Sequence, residues 1–193
     1  NGGTKTTVVL KADWNAVDGD FTCANGTENG YLYLNDIDID LTIDLNGYAI
    51  NRGLTTPKKY GHVFKLKEGT LTITDSVGTG KITGGNVYYE EKLIFTAKKG
   101  YGGGINMEGG TLYFKGGNIT GNTAYHGGGI YCDNEDESYV YILGGKIAGN
   151  TAMEFGGGIM MKNGYLHMDG GEITENTAPT GIGICSTSNN ATY

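Results

Sequence analysis

The sequence is poor in several residue types that organise other classes of protein. Its 193 residues include two prolines, one tryptophan, one arginine and three cysteines. The cysteines, Cys23, Cys132 and Cys185, form no Cys-x-x-Cys or Cys/His pair, which argues against a structural zinc site. Their odd number leaves at least one free thiol, so we do not expect a disulfide framework to organise the fold.

Charge and hydropathy argue against two further classes. The net charge is −7, and the basic residues, thirteen lysines and Arg52, show no clustered basic face. We therefore expect no nucleic-acid partner. No apolar run is long enough to cross a bilayer, so we expect no membrane span in this chain. The acidic balance suits uncharged or basic partners.

Glycine is the residue in excess, with 36 copies. The glycines follow no Gly-X-Y period, which excludes collagen. Tyrosine and apolar residues are too frequent for a disordered linker. Glycine therefore serves regularly placed turns.

A glycine-led block repeats along the second half of the chain. Gly-Gly-Gly-Ile occurs at 102–105, 127–130 and 156–159, and the related Gly-Ile-Gly-Ile at 181–184. Short alternating apolar runs, a glycine pair and a closing Asn-Thr-Ala sequence follow the three triplets. Units of about 25 residues with three short strands and three turns are typical of parallel β-helix coils. We predict an all-β fold: a right-handed, single-stranded parallel β-helix of about five to six coils.

Stacking of the coils would align equivalent residues in columns, because a single coil cannot bury its apolar side alone. We predict three inward columns: Ile82, Ile119, Ile147 and Ile173; Leu71, Leu112, Val140 and Leu166; Ile73, Phe114, Ile142 and Met168. The closing blocks place Asn122, Asn150 and Asn176 at one corner. Asparagine tolerates left-handed geometry there, and its amide can hydrogen-bond along the stack. Tyr101, His126 and Phe155 precede the triplets and form a predicted aromatic corner column.

The two ends of the chain depart from the repeat. Residues 1–30 fit no coil and hold Trp14, so we predict an N-terminal cap there and a β-helix over 31–193, in one domain overall. The run 36–50 alternates apolar and acidic residues and predicts one apolar face that includes Ile37. The last coil starts and stops partway, which suggests truncation, and such an open coil permits end-to-end self-association.

The pairing of the Gly-Gly-Gly-Ile block with "ITGN", "IAGN" and "ITEN" resembles the repeat of chlamydial polymorphic outer-membrane proteins. In that repeat a Gly-Gly-aliphatic motif is paired with Phe-x-x-Asn. The runs "LTIDLNGYAI" and "GTLTITDS" look like opening coils of adhesin-like β-helix proteins on bacterial surfaces. The resemblance covers about residues 31–185. It implies a secreted or cell-surface bacterial domain with adhesive or glycan-contacting duties, and it carries over no catalytic residue.

An aromatic row is the most suggestive surface feature. Tyr113, Tyr141 and His167 fall at outward positions of the middle strand in successive coils, where they form a candidate ligand-binding column. Such a row could lie against sugar rings of a carbohydrate or of a host or matrix surface. The alternative is that tyrosine suits a half-exposed β surface and stabilises its neighbours.

Metal and catalytic sites have weaker support in the sequence. Asp36, Asp38 and Asp40 alternate along a predicted strand and are weak candidates for binding calcium, since like charges on a solvated strand face are the simpler explanation. We expect no other cofactor. The insertion at 86–100 could wall a groove or form a strand pair that covers an edge. A polysaccharide lyase or glycoside hydrolase is thus the alternative function, and a structural spacer is a third. Regular repetition without a unique catalytic cluster favours binding or display over catalysis.

Overall fold

Short period-2 segments between glycine turns form strands throughout the part of the chain that the structure describes. The computed structural model describes residues 5–16, 31–92, 96–134 and 138–187, and these contain 23 β-strands and no helix. The helix-free described residues accordingly include no helix that could span a membrane. The predicted all-β parallel β-helix is confirmed.

The first eleven strands lie in the less regular half of the chain. They are β1 (Lys5–Val9), β2 (Trp14–Asn15), β3 (Leu32–Leu34), β4 (Asp40–Asp44), β5 (Ala49–Asn51), β6 (Phe64–Leu66), β7 (Thr70–Thr74), β8 (Lys81–Thr83), β9 (Asn86–Val87), β10 (Tyr89–Lys92) and β11 (Thr96–Lys99).

The other twelve strands belong to the glycine-triplet coils. They are β12 (Ile105–Met107), β13 (Gly110–Phe114), β14 (Asn118–Thr120), β15 (Thr123–His126), β16 (Ile130–Cys132), β17 (Ser138–Ile142), β18 (Lys146–Ala148), β19 (Thr151–Phe155), β20 (Ile159–Met161), β21 (Tyr165–Met168), β22 (Glu172–Thr174) and β23 (Ile184–Ser186).

Three parallel sheets run along the axis, each with one strand from each of six successive turns of the chain. We call them sheet I (β1-β4-β7-β13-β17-β21), sheet II (β2-β5-β8-β14-β18-β22) and sheet III (β3-β6-β12-β16-β20-β23). A shorter corner sheet, β9-β15-β19, lies between sheets II and III in chain order. Successive turns are about 4.8 Å apart, the ordinary strand spacing.

The predicted inward columns are present in register. Ile82, Ile119, Ile147 and Ile173 pair in sequence across sheet II. The two predicted columns of sheet I also align, and most of their members are fully buried. Full burial of each large aliphatic side chain contributes about 1.5–3 kcal/mol relative to exposure. Met168 keeps the register but is 43% exposed, because β21 is the outermost described strand of its sheet.

A ladder of buried asparagines joins the regular coils, as predicted. Asn122 Nδ2 donates to Asn150 Oδ1 at 3.0 Å, and Asn150 Nδ2 donates to Asn176 Oδ1 at 3.1 Å. The prediction of left-handed geometry at the asparagines is wrong. The left-handed residue stands one position earlier, at Gly121, Gly149 and Glu175, with φ of 65°, 65° and 54°. That turn directs each amide inward, where it satisfies backbone groups of adjacent coils.

The glycine triplets are required by close approach of the coils. The first glycine of each triplet, Gly102, Gly127 and Gly156, has φ between 59° and 68°, which side chains rarely adopt. At the third position a Cβ on Gly129 would lie 2.6 Å from the carbonyl oxygen of Gly158 in the next coil. The contact is with backbone, so no side-chain rotation could relieve it. Where two triplet corners stack directly, only glycine fits.

The N-terminal segment adds a rung where no coil was expected. Lys5–Val9 pairs in parallel with β4, and Trp14–Asn15 pairs with β5. The expectation that this region fits no coil is therefore wrong for residues 5–16, which follow the path of the helix and cover the edges of sheets I and II. The remainder of the predicted cap, 1–4 and 17–30, lies outside the described residues.

The insertion at 86–100 leaves the coil path as a hairpin. Strands β10 and β11 pair antiparallel, with Glu90 opposite Lys98 and Tyr89 opposite Lys99. Lys99 also forms an ion pair with Glu91. Of the two structures expected for this insertion, the strand pair is the one present.

Candidate functional site

The candidate site is the exterior of sheet I in the regular coils, which we call the aromatic face. It consists of Tyr113, Tyr139, Tyr141, Tyr165 and His167. Period-2 alternation turns these side chains outward, because their strand neighbours such as Leu112 and Val140 are fully buried in the core. Sequence analysis placed three of them, and the pairing of β13, β17 and β21 aligns those three in one column.

Tyr139 and Tyr165 form a second column beside the first, and sequence analysis missed them. They pair with each other in register and stand two residues before Tyr141 and His167 on the same strands. Alternation alone carried the signal, because residues two apart on a strand share a face. Tyr139 is 36% exposed and Tyr165 is 42% exposed, so this column is the more accessible one.

The rings stack along the axis. The centroids of Tyr113 and Tyr141 lie 4.8 Å apart with an interplanar angle of 14°, and those of Tyr139 and Tyr165 lie 5.2 Å apart at 10°. His167 meets Tyr141 edge-on at 5.8 Å, and its Nε2 lies 2.8 Å from Asp169 Oδ2. Stacked aromatic pairs of this kind contribute about 0.5–1.5 kcal/mol beyond their buried area.

This stacking decides which part of each tyrosine a ligand can reach. Rings that face one another along the axis stand up from the sheet, so within each pair the two facing ring surfaces are covered. The ring edges and the hydroxyl groups point toward solvent. The apolar contact with sugars that the sequence predicts is therefore reduced, and hydrogen bonding from hydroxyls becomes the main chemistry of the surface.

The four hydroxyls of the aromatic face are available for such bonds. None of the four has a hydrogen-bond partner among the described residues. Other tyrosine hydroxyls are engaged: Tyr88 donates to Glu90 Oε1 at 2.8 Å, and Tyr131 donates to Asp133 Oδ2 at 3.1 Å. The aromatic face thus combines exposed ring edges with uncommitted donors and acceptors.

The predicted calcium ligands do not share a strand face. Asp36 and Asp38 precede β4, where Asp36 Oδ1 accepts a hydrogen bond from the Asp38 backbone amide at 3.0 Å. Only Asp40 lies in the strand, and Lys5 Nζ approaches it to 3.5 Å. The predicted alternation is therefore wrong before residue 40, because a side-chain-to-backbone turn replaces the extended chain. Ile37, assigned to the apolar face, is 70% exposed.

The same aspartates border a cavity of about 490 Å³ at the N-terminal end of the coil. Its walls are mainly apolar and include Leu32, Leu34, Ile39 and Phe64. Across residues 5–16, 31–92, 96–134 and 138–187, no three His, Cys, Asp or Glu side chains lie close enough to hold a metal ion. The cavity is a hollow end of the solenoid with carboxylates at its rim.

His126 and Cys132 both have structural surroundings. His126 stacks between Tyr101 and Phe155 at 5.8 and 5.3 Å, which confirms the predicted aromatic corner column. Burial lowers the pKa of His126, against the opposing effect of Glu154. Burial also raises the pKa of the Cys132 thiol to about 12, so that group is a poor nucleophile.

No family model, curated protein or solved structure matches this chain. The likeness to chlamydial and adhesin repeats accordingly rests on the motifs quoted above.

Proposed function

We propose that the chain is an adhesin-like β-helix domain of a bacterial surface or secreted protein. It binds a ligand or displays a binding surface. Its aromatic face contacts glycans or a host or matrix surface. The observation that carries this proposal is the group of four outward-facing tyrosines with unengaged hydroxyls on one sheet, two of them exposed and two half-buried. The repeat resemblance supports the location, and the geometry supports the mode of contact.

The chemistry of the aromatic face suits neutral carbohydrate. Sugars present hydroxyl groups and C–H edges, which match tyrosine hydroxyls and ring edges respectively. The stacking also fixes the rings in place, so little side-chain entropy is lost when a ligand binds. Contacts repeat along the axis about every 4.8 Å, so an extended glycan can add small contributions from several rungs.

Catalysis is the less supported function. An enzyme of this fold needs an acid or base pair placed at a cleft. Among the described residues, the conspicuous carboxylates serve in turns and ion pairs, as Asp36 and Asp40 do. No observation here favours the lyase or hydrolase alternative.

The proposal is tested by a glycan panel with matched variants of sheet I. We expect Tyr139→Ala combined with Tyr141→Ala to weaken binding about tenfold, since each lost ring and hydroxyl costs on the order of 0.5–1 kcal/mol. The same two positions changed to Phe keep the stack and remove only hydroxyls, which gives an intermediate loss. Thr42→Ala with Thr70→Ala, on the other half of the same sheet, is the control.

Two results would contradict the aromatic face as the binding site. One is unchanged glycan affinity in the Ala variant with a normal β-sheet spectrum. The other is an equal loss in the threonine control. Turnover of any polymer by the wild-type protein would overturn the assignment as a binding domain.

A further inference from the structure

A second surface departs sharply from the acidic character of the chain. Residues 52–67 contain five of the fourteen Lys and Arg residues and none of the 21 acidic residues. The expectation of no clustered basic face is therefore wrong for this segment. The net charge of −7 had concealed it, because the excess of acids lies elsewhere in the chain.

The fold distributes this charge as a band around one coil. Arg52 follows β5, and Lys58 bridges to Val87 at the edge of the corner sheet. Lys65 occupies the outward position of β6, and Lys67 follows two residues later. We call Arg52, Lys58, Lys59, Lys65 and Lys67 the basic band. It runs around the solenoid from the corner to the exterior of sheet III.

Aromatic rings hold two of these lysines. Lys59 Nζ lies 5.6 Å from the ring centroid of Tyr60 and 5.1 Å from that of Tyr89 in the hairpin. Lys65 Nζ lies 5.9 Å from the ring of Tyr33. Contact with a ring face positions an ammonium group without neutralising its charge. The band is thus preorganised and remains cationic.

Few carboxylates compensate the band. Lys65 pairs with Glu108 at 2.8 Å. In the part of the chain that the structure describes, no carboxylate lies within 4 Å of Lys58, Lys59 or Lys67. These three lysines thus lack a close ion pair, although the Glu91 carboxylate acts on Lys59 at longer range, and their remaining positive charge favours an anionic partner.

His62 lies within this band, and its buried side chain is affected by the positive charges around it. The side chain is 2% exposed and packs on the Tyr31 ring with centroids 4.2 Å apart. Neither ring nitrogen has a hydrogen-bond partner among the described residues. Burial, together with the charges of Lys65 and Arg52, lowers the pKa of His62 to about 3. A neutral imidazole with unused polar atoms therefore lies beneath a positively charged surface.

We propose that the basic band binds an acidic glycan, one that bears sulfate or carboxylate groups. This inference rests on the proposed glycan-contacting role and assigns it a second surface with its own ligand chemistry. Nucleic acid fits less well. The rings of Tyr33, Tyr60 and Tyr89 are engaged by lysines, so they do not offer free faces for base stacking.

The test measures binding of a heparin octasaccharide by the full chain. We expect Lys58→Ala with Lys59→Ala to weaken binding about tenfold, as loss of two exposed charge contacts implies. Lys58→Arg with Lys59→Arg keeps the charge and should bind within about twofold of wild type. Lys115→Ala with Lys146→Ala removes the same charge from sheets I and II and should also bind normally. Affinity should fall as salt rises from about 50 to 200 mM.

Three outcomes would overturn the inference. They are equal loss in the two Ala pairs, tighter binding of oligothymidylate of equal charge than of heparin, and unchanged binding in the Lys58/Lys59 Ala variant. The aromatic-face variant, Tyr139→Ala with Tyr141→Ala, should still bind heparin. Failure of the neutral-glycan site and failure of the acidic-glycan site are therefore distinguishable.

Discussion

The corner that leads into sheet III is built in two different ways. In the regular coils it is a glycine triplet whose first residue, such as Gly102, is left-handed. In the preceding coil the segment 60–64 occupies the same register, because Phe64 pairs with Ile105. There His62 and Val63 replace two glycines, and Gly61 is not left-handed. The same position in the coil can thus be a bare backbone contact or a packed side-chain cluster.

The difference separates residues that allow coils to stack from residues that give this surface its own chemistry. Where identical coils stack, the corner must be free of side chains so that backbones can meet. Where the repeat lapses, the corner gains a buried imidazole, several tyrosines and the basic band. Features that distinguish this surface from a generic solenoid are concentrated in the coil that departs from the repeat.

The largest expected effect comes from removing the ladder that only the regular coils possess. Asn150→Ala removes the Oδ1 that accepts from the buried backbone amide and side-chain amide of Asn122, and the Nδ2 that donates to the carbonyl of Ile119. We expect a loss of about 4 kcal/mol in the free energy of unfolding, since each unsatisfied buried group costs about 1–3 kcal/mol. Urea denaturation measures it. Asn118→Ala, at a half-buried outward position, is the control and should cost less than about 1 kcal/mol.

A second substitution tests whether close approach is what demands glycine. Gly129→Ala would place a Cβ 2.6 Å from the Gly158 carbonyl oxygen, whereas the Cβ of Gly183→Ala would meet, among the described residues, only Ile173 Cγ2 at 3.6 Å. We expect Gly129→Ala to destabilise by about 3 kcal/mol and Gly183→Ala by less than about 1 kcal/mol, as overpacking of a close contact implies. Similar melting temperatures for the two variants would refute the steric account of the triplet.

The buried imidazole of the divergent coil predicts a dependence of stability on pH. The folded pKa of His62 is about 3, below the ordinary value of 6.5. The unfolded chain therefore binds a proton that the folded chain refuses, and stability falls as pH drops from 6.5 toward 3. This residue should cost up to about 2 kcal/mol between about pH 6.5 and 5, at about 1.4 kcal/mol per unit. In His62→Gln the free energy of unfolding should depend less on pH over this range. If urea denaturation gave the same pH dependence for both proteins, His62 would not be its cause.

The smallest effect concerns the one ladder corner that lacks glycine. Glu175 has φ of 54° where Gly121 and Gly149 stand in the other coils. Relief of left-handed strain should make Glu175→Gly more stable by about 1 kcal/mol. Gly149→Glu is the reciprocal variant and should lose at least as much. If the melting temperatures of both variants shifted in the same direction, left-handed strain would not be the explanation.

Sequence periodicity predicted the fold well because stacking repeats the same steric requirements. Columns such as Ile119, Ile147 and Ile173 follow directly from equal spacing of equivalent residues. The coil path of residues 5–16 was missed because that rung carries none of the repeat motif. Ile37 was misplaced because a local turn formed by Asp36, which an alternating pattern does not reveal, replaces the extended chain before β4.

The candidate sites were less predictable. Alternation placed Tyr113 and Tyr141 outward. It could not show that their rings stack in the folded protein and so present edges and hydroxyls. The basic band was overlooked because the net charge averages it against distant acids. The position of Lys59 in the band depends on Tyr89 of the hairpin, which is distant in sequence and contacts Lys59 only in the folded protein.

The asparagine ladder also governs how the solenoid comes apart. Each amide satisfies groups in two coils at once, so no single inner coil can detach without stranding polar atoms of its neighbours. Fraying must therefore begin at the outer rungs and advance one turn at a time. Deuterium uptake by backbone amides should be slowest around Asn150, and force applied along the axis would peel the molecule in steps.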